Sequence, residues 1–277
     1  MTTFEPDSKI AFLGPEATFT HQATLKHFGH DIQVEGRDTI ADVFDAVSTG
    51  RTKYGVVPVE NSTEGAVRVT FDLFPNYDIH ICAEVFLQIH HYMLLRPGTS
   101  EIKRIYSHRQ VLAQCRRWLE KNYPNCETIE TSSTTLAATR AAEEPESAAL
   151  ASVLAAEKYG LEVRHANVED SSNNITRFLV IGNEPVAPTG DDKTSVMFAL
   201  ADRVGVLYDA LLPFKTNNVN MTMIESRPSK SQNWEYIFFV DLSRHASDAD
   251  CRAALHELSD HCMFMKVLGS YPRAPRG

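Results

Sequence analysis

The sequence predicts an α/β protein in which two lobes enclose a cleft and a smaller β-α-β-β-α-β module follows. Strand-like and helix-like segments alternate through residues 8–183, as in proteins with a largely parallel sheet. A polar stretch, 184–193, contains two prolines and a glycine, and the apolar pattern restarts beyond it. With 277 residues, the chain is long enough for two or three domains with separate cores.

Composition and charge exclude several classes of protein. Hydrophobic residues make up 43% and charged residues 23%, which is typical of soluble globular proteins. The net charge of -9 and the lack of a basic cluster argue against nucleic-acid binding. An anionic substrate would therefore need local positive potential from arginines, lysines or helix N-termini. Residues 1–9 do not resemble a signal peptide, and no apolar run approaches about 20 residues, so we expect a cytoplasmic protein without a membrane span.

The cysteines and histidines indicate neither a disulfide framework nor a metal site. The five cysteines are scattered and never form a CxxC pair, which is typical of reduced packing residues. His90 and His91 adjoin in a strand-like run, so they should point to opposite faces and cannot share a metal. We therefore expect no metal.

The first lobe is predicted to open with three strands and two helices. The strands are 9–14, 32–34 and 54–59, and the helices are 18–28 and 39–47. The third strand runs into the loop 60–65, where Asn61, Ser62 and Thr63 are all good N-cap residues for a following helix. A helix N-terminus at the carboxyl edge of a sheet suits a carboxylate, although a well-capped helix without a ligand is the alternative.

The second lobe is predicted to follow an extended crossing segment, 78–95. A short strand ends at Ser107, which we place at the N-cap of a helix spanning 110–121. Gln114 lies seven residues later, two helical turns along the same face, so both side chains could enter one cleft. The alternative is a helix cap with an exposed glutamine. The remaining elements are strand 127–130, a helix capped by 132–135, strand 148–152 and helix 153–159.

Residues 161–165 and the stretch that follows are expected to return the chain to the first lobe. Lobe one would then comprise 8–80 and 160–183, and lobe two 81–159. Thr176 and Arg177 lie where the polar loop 169–174 becomes a buried strand, a position that favours catalytic groups in α/β proteins. A plain surface loop with a solvated Arg177 is the alternative.

Residues 194–272 are predicted to form a ferredoxin-like βαββαβ unit. Its strands are 193–200, 219–225, 234–242 and 263–268, and its helices are 204–214 and 248–261. The unit is too small for a catalytic cleft of its own and has free sheet edges. We therefore interpret it as a regulatory, dimer-forming module.

Four stretches together resemble the prephenate dehydratase family with a C-terminal ACT regulatory domain. They are Phe12-Leu13-Gly14-Pro15 with Ala17-Thr18-Phe19-Thr20, Val57 to Gly65, Ser107-His108 through Gln114-Cys115, and Asn174 to Phe178. Residues 194–272 resemble the ACT domain, with Glu225-Ser226-Arg227-Pro228 as the best local signature.

The resemblance implies a two-lobed fold like that of periplasmic binding proteins and a reaction between the lobes. Prephenate would lose CO2 and water to give phenylpyruvate, without metal or cofactor. The implied catalytic residues are Thr176, Asn61, Ser107 and Gln114, and the expected substrate-binding residues are Glu60, Ser62, Thr63, Arg177 and Phe178. Thr176 is expected to act as a hydrogen-bond donor or relay, and Glu60, His108 or Asp170 could supply the proton.

The resemblance also implies feedback inhibition by phenylalanine at paired ACT domains, and hence a homo-oligomer, a dimer or tetramer. The effector residues would be Gly205, Val206, Leu207, Asn220, Glu225, Ser226 and Arg227. Arg227 could instead form a simple salt bridge at a strand end. Val206 and Asn218 depart from the family pattern, as does Arg109, where the family usually has proline. Two alternatives stay open, namely an arogenate dehydratase and a non-catalytic sensor of an aromatic acid.

Overall fold

The computed structural model describes residues 9–228 and 236–275, which form three sheets flanked by helices. In chain order the elements are β1 (Lys9–Leu13), α1 (Phe19–Phe28), β2 (Gln33–Arg37), α2 (Ile40–Ser48), β3 (Tyr54–Asn61), β4 (Gly65–Ala66), α3 (Arg68–Leu73), β5 (His80–Gln88), β6 (Tyr92–Leu95), β7 (Arg104–His108), α4 (Arg109–Gln114), α5 (Arg116–Asn122), β8 (Glu127–Thr131), α6 (Thr134–Glu143), β9 (Ser147–Ala151), α7 (Val153–Tyr159), β10 (Glu162–His165), β11 (Ile175–Gly182), β12 (Asp192–Ala199), α8 (Val206–Thr216), β13 (Met221–Pro228), β14 (Tyr236–Leu242), α9 (Ala249–Ser259) and β15 (Phe264–Pro272).

Lobe one is built on a sheet with the order β2-β1-β3-β11-β5, to which β4 adds beside β3. The strands β1, β2 and β3 are parallel, whereas β11 runs antiparallel to both of its neighbours. Helix α2 buries Val43, Phe44 and Val47 against this sheet, and a capping box of Thr39 and Asp42 starts the helix. Strand β11 is paired on both sides, with β3 and with β5, which makes it a rigid support for side chains at its start.

Lobe two has a sheet with the order β10-β6-β9-β7-β8. Helix α6 packs on it through Ala137, Ala138 and Ala141, all fully buried. Small side chains let the helix approach the equally alanine-rich strand β9 closely. The α/β two-lobed fold class is confirmed.

The division between the lobes differs from the prediction. Strand β5 pairs with β11 in lobe one, whereas the sequence predicts lobe two, and β10 pairs with β6 in lobe two, whereas the sequence predicts lobe one. The chain therefore crosses between the lobes at 89–91 and at 166–174. The two crossing segments are joined side by side, because Ile89 N donates to Asn174 O at 2.8 Å and Val168 N donates to His91 O at 2.9 Å.

The C-terminal module has the antiparallel order β13-β14-β12-β15 that the predicted ferredoxin-like unit requires. Its first strand starts at Asp192, inside the predicted linker, and the predicted start of its third strand at Trp234 lies outside the described residues. The module packs directly on lobe one, where β15 meets β5. A Cβ atom added to Gly269 would lie 2.3 Å from the backbone oxygen of Ile81, so this contact requires glycine.

Two predicted helices differ from those observed. The helix expected over 110–121 is two helices, α4 and α5, separated at Cys115. The helix expected directly after Asn61 begins only at Arg68, because Gly65 and Ala66 first pair with β3. Within the residues described, no helix is long and apolar enough to cross a membrane.

Candidate active site

A cavity of about 450 Å³ lies between the two lobes, at the start of β11. Lobe one lines it with Asn61, Thr176 and Phe178, and lobe two with His108, Val111 and Gln114. The cavity thus brings together three of the four residues that the sequence predicted to be catalytic. Phe178 also lies where it was expected.

Asn61 and Thr176 face each other on paired strands. Asn61 Nδ2 donates to Thr176 Oγ1 at 2.7 Å and to Asn174 Oδ1 at 2.8 Å. Asn61 Oδ1 accepts from the backbone N–H groups of Thr63 at 2.9 Å and Glu64 at 3.1 Å. Because a backbone N–H can only donate, these two bonds fix which end of the Asn61 amide is oxygen.

The role of the Thr176 hydroxyl follows from this orientation. Its oxygen accepts a hydrogen bond from Asn61, so its own proton is left to be donated to another group. Thr176 is buried with 8% exposure, and it lines the cavity. The site can therefore present one hydroxyl donor, held by an amide, to a bound molecule.

A chain of amides connects this pair to lobe two. Asn174 Nδ2 donates to Gln114 Oε1 at 3.1 Å, and the Nε2 atom of His91 lies 2.8 Å from the same oxygen. Since Gln114 Oε1 can only accept, the His91 proton must be on Nε2. Burial lowers the pKa of His91 below its ordinary value, which favours the neutral ring.

Sequence reasoning did not assign a role to Asn174 or His91. Alternation along the crossing segment separates His91 from His90, but only the fold shows that His91 faces Gln114. Asn174 lies in a polar loop, where the sequence pattern does not distinguish it from its neighbours.

Ser107 is not in the cleft, contrary to the prediction. It is fully buried in β7, and its hydroxyl donates to Leu150 O on β9 at 2.7 Å. The N-cap of α4 is instead His108, whose ring accepts from Gln110 N at 3.4 Å. Ser107 therefore joins two strands, and His108 lines the cavity.

The predicted anion-binding helix tip at residues 61–63 is also wrong. These residues form the turn between β3 and β4, and the Asn61 side chain accepts hydrogen bonds from the N–H groups of the turn. Ser62 Oγ donates to Asn173 O and accepts from Ile175 N, so it ties the turn to the crossing segment. Thr63 lines an outer cavity of about 1010 Å³ that adjoins the cleft.

Two other helix N-termini do meet the cleft. Helix α1 begins after Thr18, which accepts from His21 N, and helix α6 begins after Ser133, which accepts from Leu136 N. Residues 18–20 and 132–134 line the cavity from opposite lobes. Helix N-termini carry partial positive charge, so each can favour a carboxylate. The outer cavity adds the exposed cations Arg109, Arg116 and Arg117.

Arg177 and Glu60 point away from the cleft, which contradicts their predicted role in substrate binding. Arg177 is 5% exposed; it contacts Glu84 at 2.8 Å, Asp241 at 2.7 Å and Tyr271 at 3.0 Å. Burial opposes the charge of Arg177, but Tyr271 and the two carboxylates outweigh it and raise the Arg177 pKa. Successive residues of a strand face opposite sides, so Thr176 and Arg177 cannot share one site.

Of the three proton donors considered from the sequence, only His108 lines the cleft. Glu60 lies with Arg177 behind the sheet. Asp170 accepts from the backbone N–H groups of Arg117 at 3.0 Å and Trp118 at 2.9 Å, so it caps α5. Across residues 9–228 and 236–275, no group of three or more His, Cys, Asp or Glu side chains is placed to hold a metal ion.

The predicted effector residues lie on two parts of the module. Gly205, with a φ of 78°, precedes Val206 and Leu207 at the start of α8, and Asn220 precedes β13. Glu225 and Ser226 lie on the edge strand β13. Arg227 contacts Asp72 of lobe one at 3.2 Å, which is the salt bridge considered as the alternative.

Comparison with known proteins identifies a family for most of the chain. The family model described as prephenate dehydratase matches residues 10–186. A bifunctional chorismate mutase/prephenate dehydratase from Stutzerimonas stutzeri is 47% identical over 272 residues, which cover 98% of this chain and 74% of that protein.

Two solved structures are similar over nearly the whole chain. Prephenate dehydratase from Arthrobacter aurescens in complex with L-Phe is 33% identical, with a TM-score of 0.89, covering 97% of this chain and 91% of that one. A protein described as a novel type of quorum quenching acylase, GqqA, is 31% identical, also with a TM-score of 0.89, covering 96% of this chain and 98% of that one.

Proposed function

Because this chain belongs to the prephenate dehydratase family and is a carbon–oxygen lyase, we propose that it converts prephenate to phenylpyruvate, CO2 and water. The observation that carries this proposal is the Thr176 hydroxyl, which accepts from Asn61 at 2.7 Å and so keeps its proton for a ligand. Departure of a hydroxyl group requires such a donor.

The reaction needs little from the protein beyond positioning and one hydrogen bond. The bond between the ring and its carboxylate breaks to release CO2, and its electron pair enters the ring. The 4-hydroxyl leaves with the electron pair of its C–O bond and takes up a proton to become water. The ring becomes aromatic, which supplies the driving force without a redox step.

The cleft offers separate surroundings for the two ends of this substrate. The N-termini of α1 and α6 favour the pyruvyl carboxylate from opposite lobes. Apolar groups, including Phe178 and Val111, suit the ring and leave the departing carboxylate weakly stabilised. Thr176 then donates to the leaving hydroxyl, and His108, which lines the same cleft, restores the proton.

Replacement of Thr176 tests the proposal directly. We expect Thr176→Ala to lower kcat for phenylpyruvate formation by about 10²-fold or more, the effect of one transition-state donor. Thr176→Ser keeps the hydroxyl and should retain most of the activity. Phenylpyruvate is measured by its ultraviolet absorbance. Wild-type protein that releases no CO2 from prephenate above the spontaneous rate would refute the proposal.

Arogenate is the alternative substrate, and the same cleft chemistry would convert it to phenylalanine directly. Comparison of kcat/KM for prephenate and arogenate separates the two dehydratases. If neither compound reacts but an aromatic acid binds, the protein is a sensor. Acyl hydrolysis by a hydroxyl nucleophile is not favoured, because no cleft hydroxyl within the described residues is hydrogen-bonded to an imidazole ring.

The C-terminal module is proposed to be an ACT domain that binds phenylalanine as a feedback inhibitor, in a dimer or tetramer. Its ferredoxin-like order and the similar structure solved with L-Phe support this role. Titration with phenylalanine should lower the rate of prephenate turnover, and Glu225→Ala should weaken the inhibition. Light scattering after gel filtration measures the number of subunits. Inhibition that is unchanged in the variant would argue against the assigned effector site.

A further inference from the structure

The hydrogen bonds of the cleft form one directed chain that ends at Gln114. It starts at the N–H groups of Thr63 and Glu64, which only donate, and passes through Asn61 and Asn174. Each amide accepts through oxygen and donates through nitrogen to the next. The Gln114 oxygen therefore accepts the last bond of the chain, and its NH2 group lies on the other side of the amide.

His91 donates to the same Gln114 oxygen from the opposite end. His91 is 1% exposed, and its backbone is held on both sides, since His91 N donates to Glu169 at 2.9 Å and His91 O accepts from Val168 N at 2.9 Å. The ring also packs edge-on against Phe19, with centroids 5.5 Å apart. In the described part of the chain, His91 Nδ1 has no hydrogen-bond partner, so Nε2 makes the one polar contact of the ring.

We propose that His91 is a positioning residue, which holds the Gln114 amide so that its NH2 group faces a ligand in the cleft. Asn174 makes one bond of 3.1 Å to the Gln114 oxygen, and His91 adds a second bond of 2.8 Å that turning the amide over would also break. A turned amide would present an acceptor where the negative charge that develops in the transition state needs a donor. The kinetic part of this inference rests on the proposed function.

Kinetics of four variants test the proposal. His91→Phe removes the donor, and we expect kcat to fall about 10- to 100-fold with little change in KM. His91→Gln places an amide nitrogen near the former Nε2 and should restore kcat to within about threefold. Combined with Gln114→Ala, which itself lowers kcat, His91→Phe should cost less than about twofold more, because the two groups act as a unit.

The adjoining histidine provides a matched control. His90 contacts Glu169 at 2.7 Å on the other side of the segment, and His90→Asn should leave kcat within about twofold of the wild type. Thermal unfolding of each variant shows whether it is folded. A full additional loss in the Gln114→Ala background, or a His91→Gln protein as slow as His91→Phe, would overturn the assignment.

A spectroscopic measurement separates this inference from the proposed reaction. Nitrogen-15 NMR of the ligand-free protein should show His91 as the neutral tautomer with its proton on Nε2. That result supports the positioning role even if prephenate is not turned over, which would refute only the proposed function. A proton on Nδ1 would overturn the role of His91 whatever the enzyme does.

Discussion

Arg177→Met tests whether the residue beside Thr176 serves stability rather than substrate binding. The side chains of Glu84 and Asp241 are each 1% exposed, and both contact Arg177 and Lys193. After the change, Lys193 remains as a cation that contacts both carboxylates. Removal of one partner from a buried ion pair costs about 3–5 kcal/mol, because an uncompensated charge stays buried. We therefore expect Tm to fall by roughly 6–20 °C.

The assay is thermal and urea unfolding of Arg177→Met beside Thr176→Ala, its neighbour on the opposite face of β11. Thr176→Ala should change Tm little and kcat strongly, whereas Arg177→Met should change Tm strongly. Addition of Glu84→Gln to Arg177→Met removes one unpaired carboxylate and should recover part of the lost stability. If Arg177→Met keeps the wild-type Tm and instead raises KM, the buried ion pairs are not its role and the reasoning is refuted.

Two further outcomes follow from burial and from backbone contact. Burial lowers the pKa of His27 and of His91 from 6.5, so the unfolded chain binds more protons below about pH 6.5. The free energy of unfolding should therefore fall as the pH drops below 6.5. Urea titrations at several pH values measure this dependence. In His91→Gln the free energy of unfolding should depend less on pH. Gly269→Ala should destabilise the protein by about 1–3 kcal/mol, since its Cβ would meet Ile81 at 2.3 Å. Gly36→Ala, whose Cβ would lie 3.4 Å from its nearest neighbour, is the control and should leave urea unfolding nearly unchanged.

Several features of the site could be predicted from the sequence because they depend on local patterns. The apolar run after Thr176 predicted a rigid strand, and the polar loop before it predicted an accessible edge. Asn61 and Gln114 were predicted from motifs of the family that the chain resembles, and in the structure both line one cavity with Thr176. Strand alternation could also have separated Thr176 from Arg177, because neighbours on a strand face opposite sides.

The sequence by itself determined the alternation of strands and helices, the new strand–helix pattern of the C-terminal module and the change from polar loop to buried strand at Thr176. Only the tertiary structure decided that β5 belongs to lobe one, that Ser107 is buried against β9, and that Arg177 faces the module. These outcomes depend on pairing between segments far apart in the chain. Local periodicity shows which face of a strand is apolar, but it does not show which distant partner covers that face.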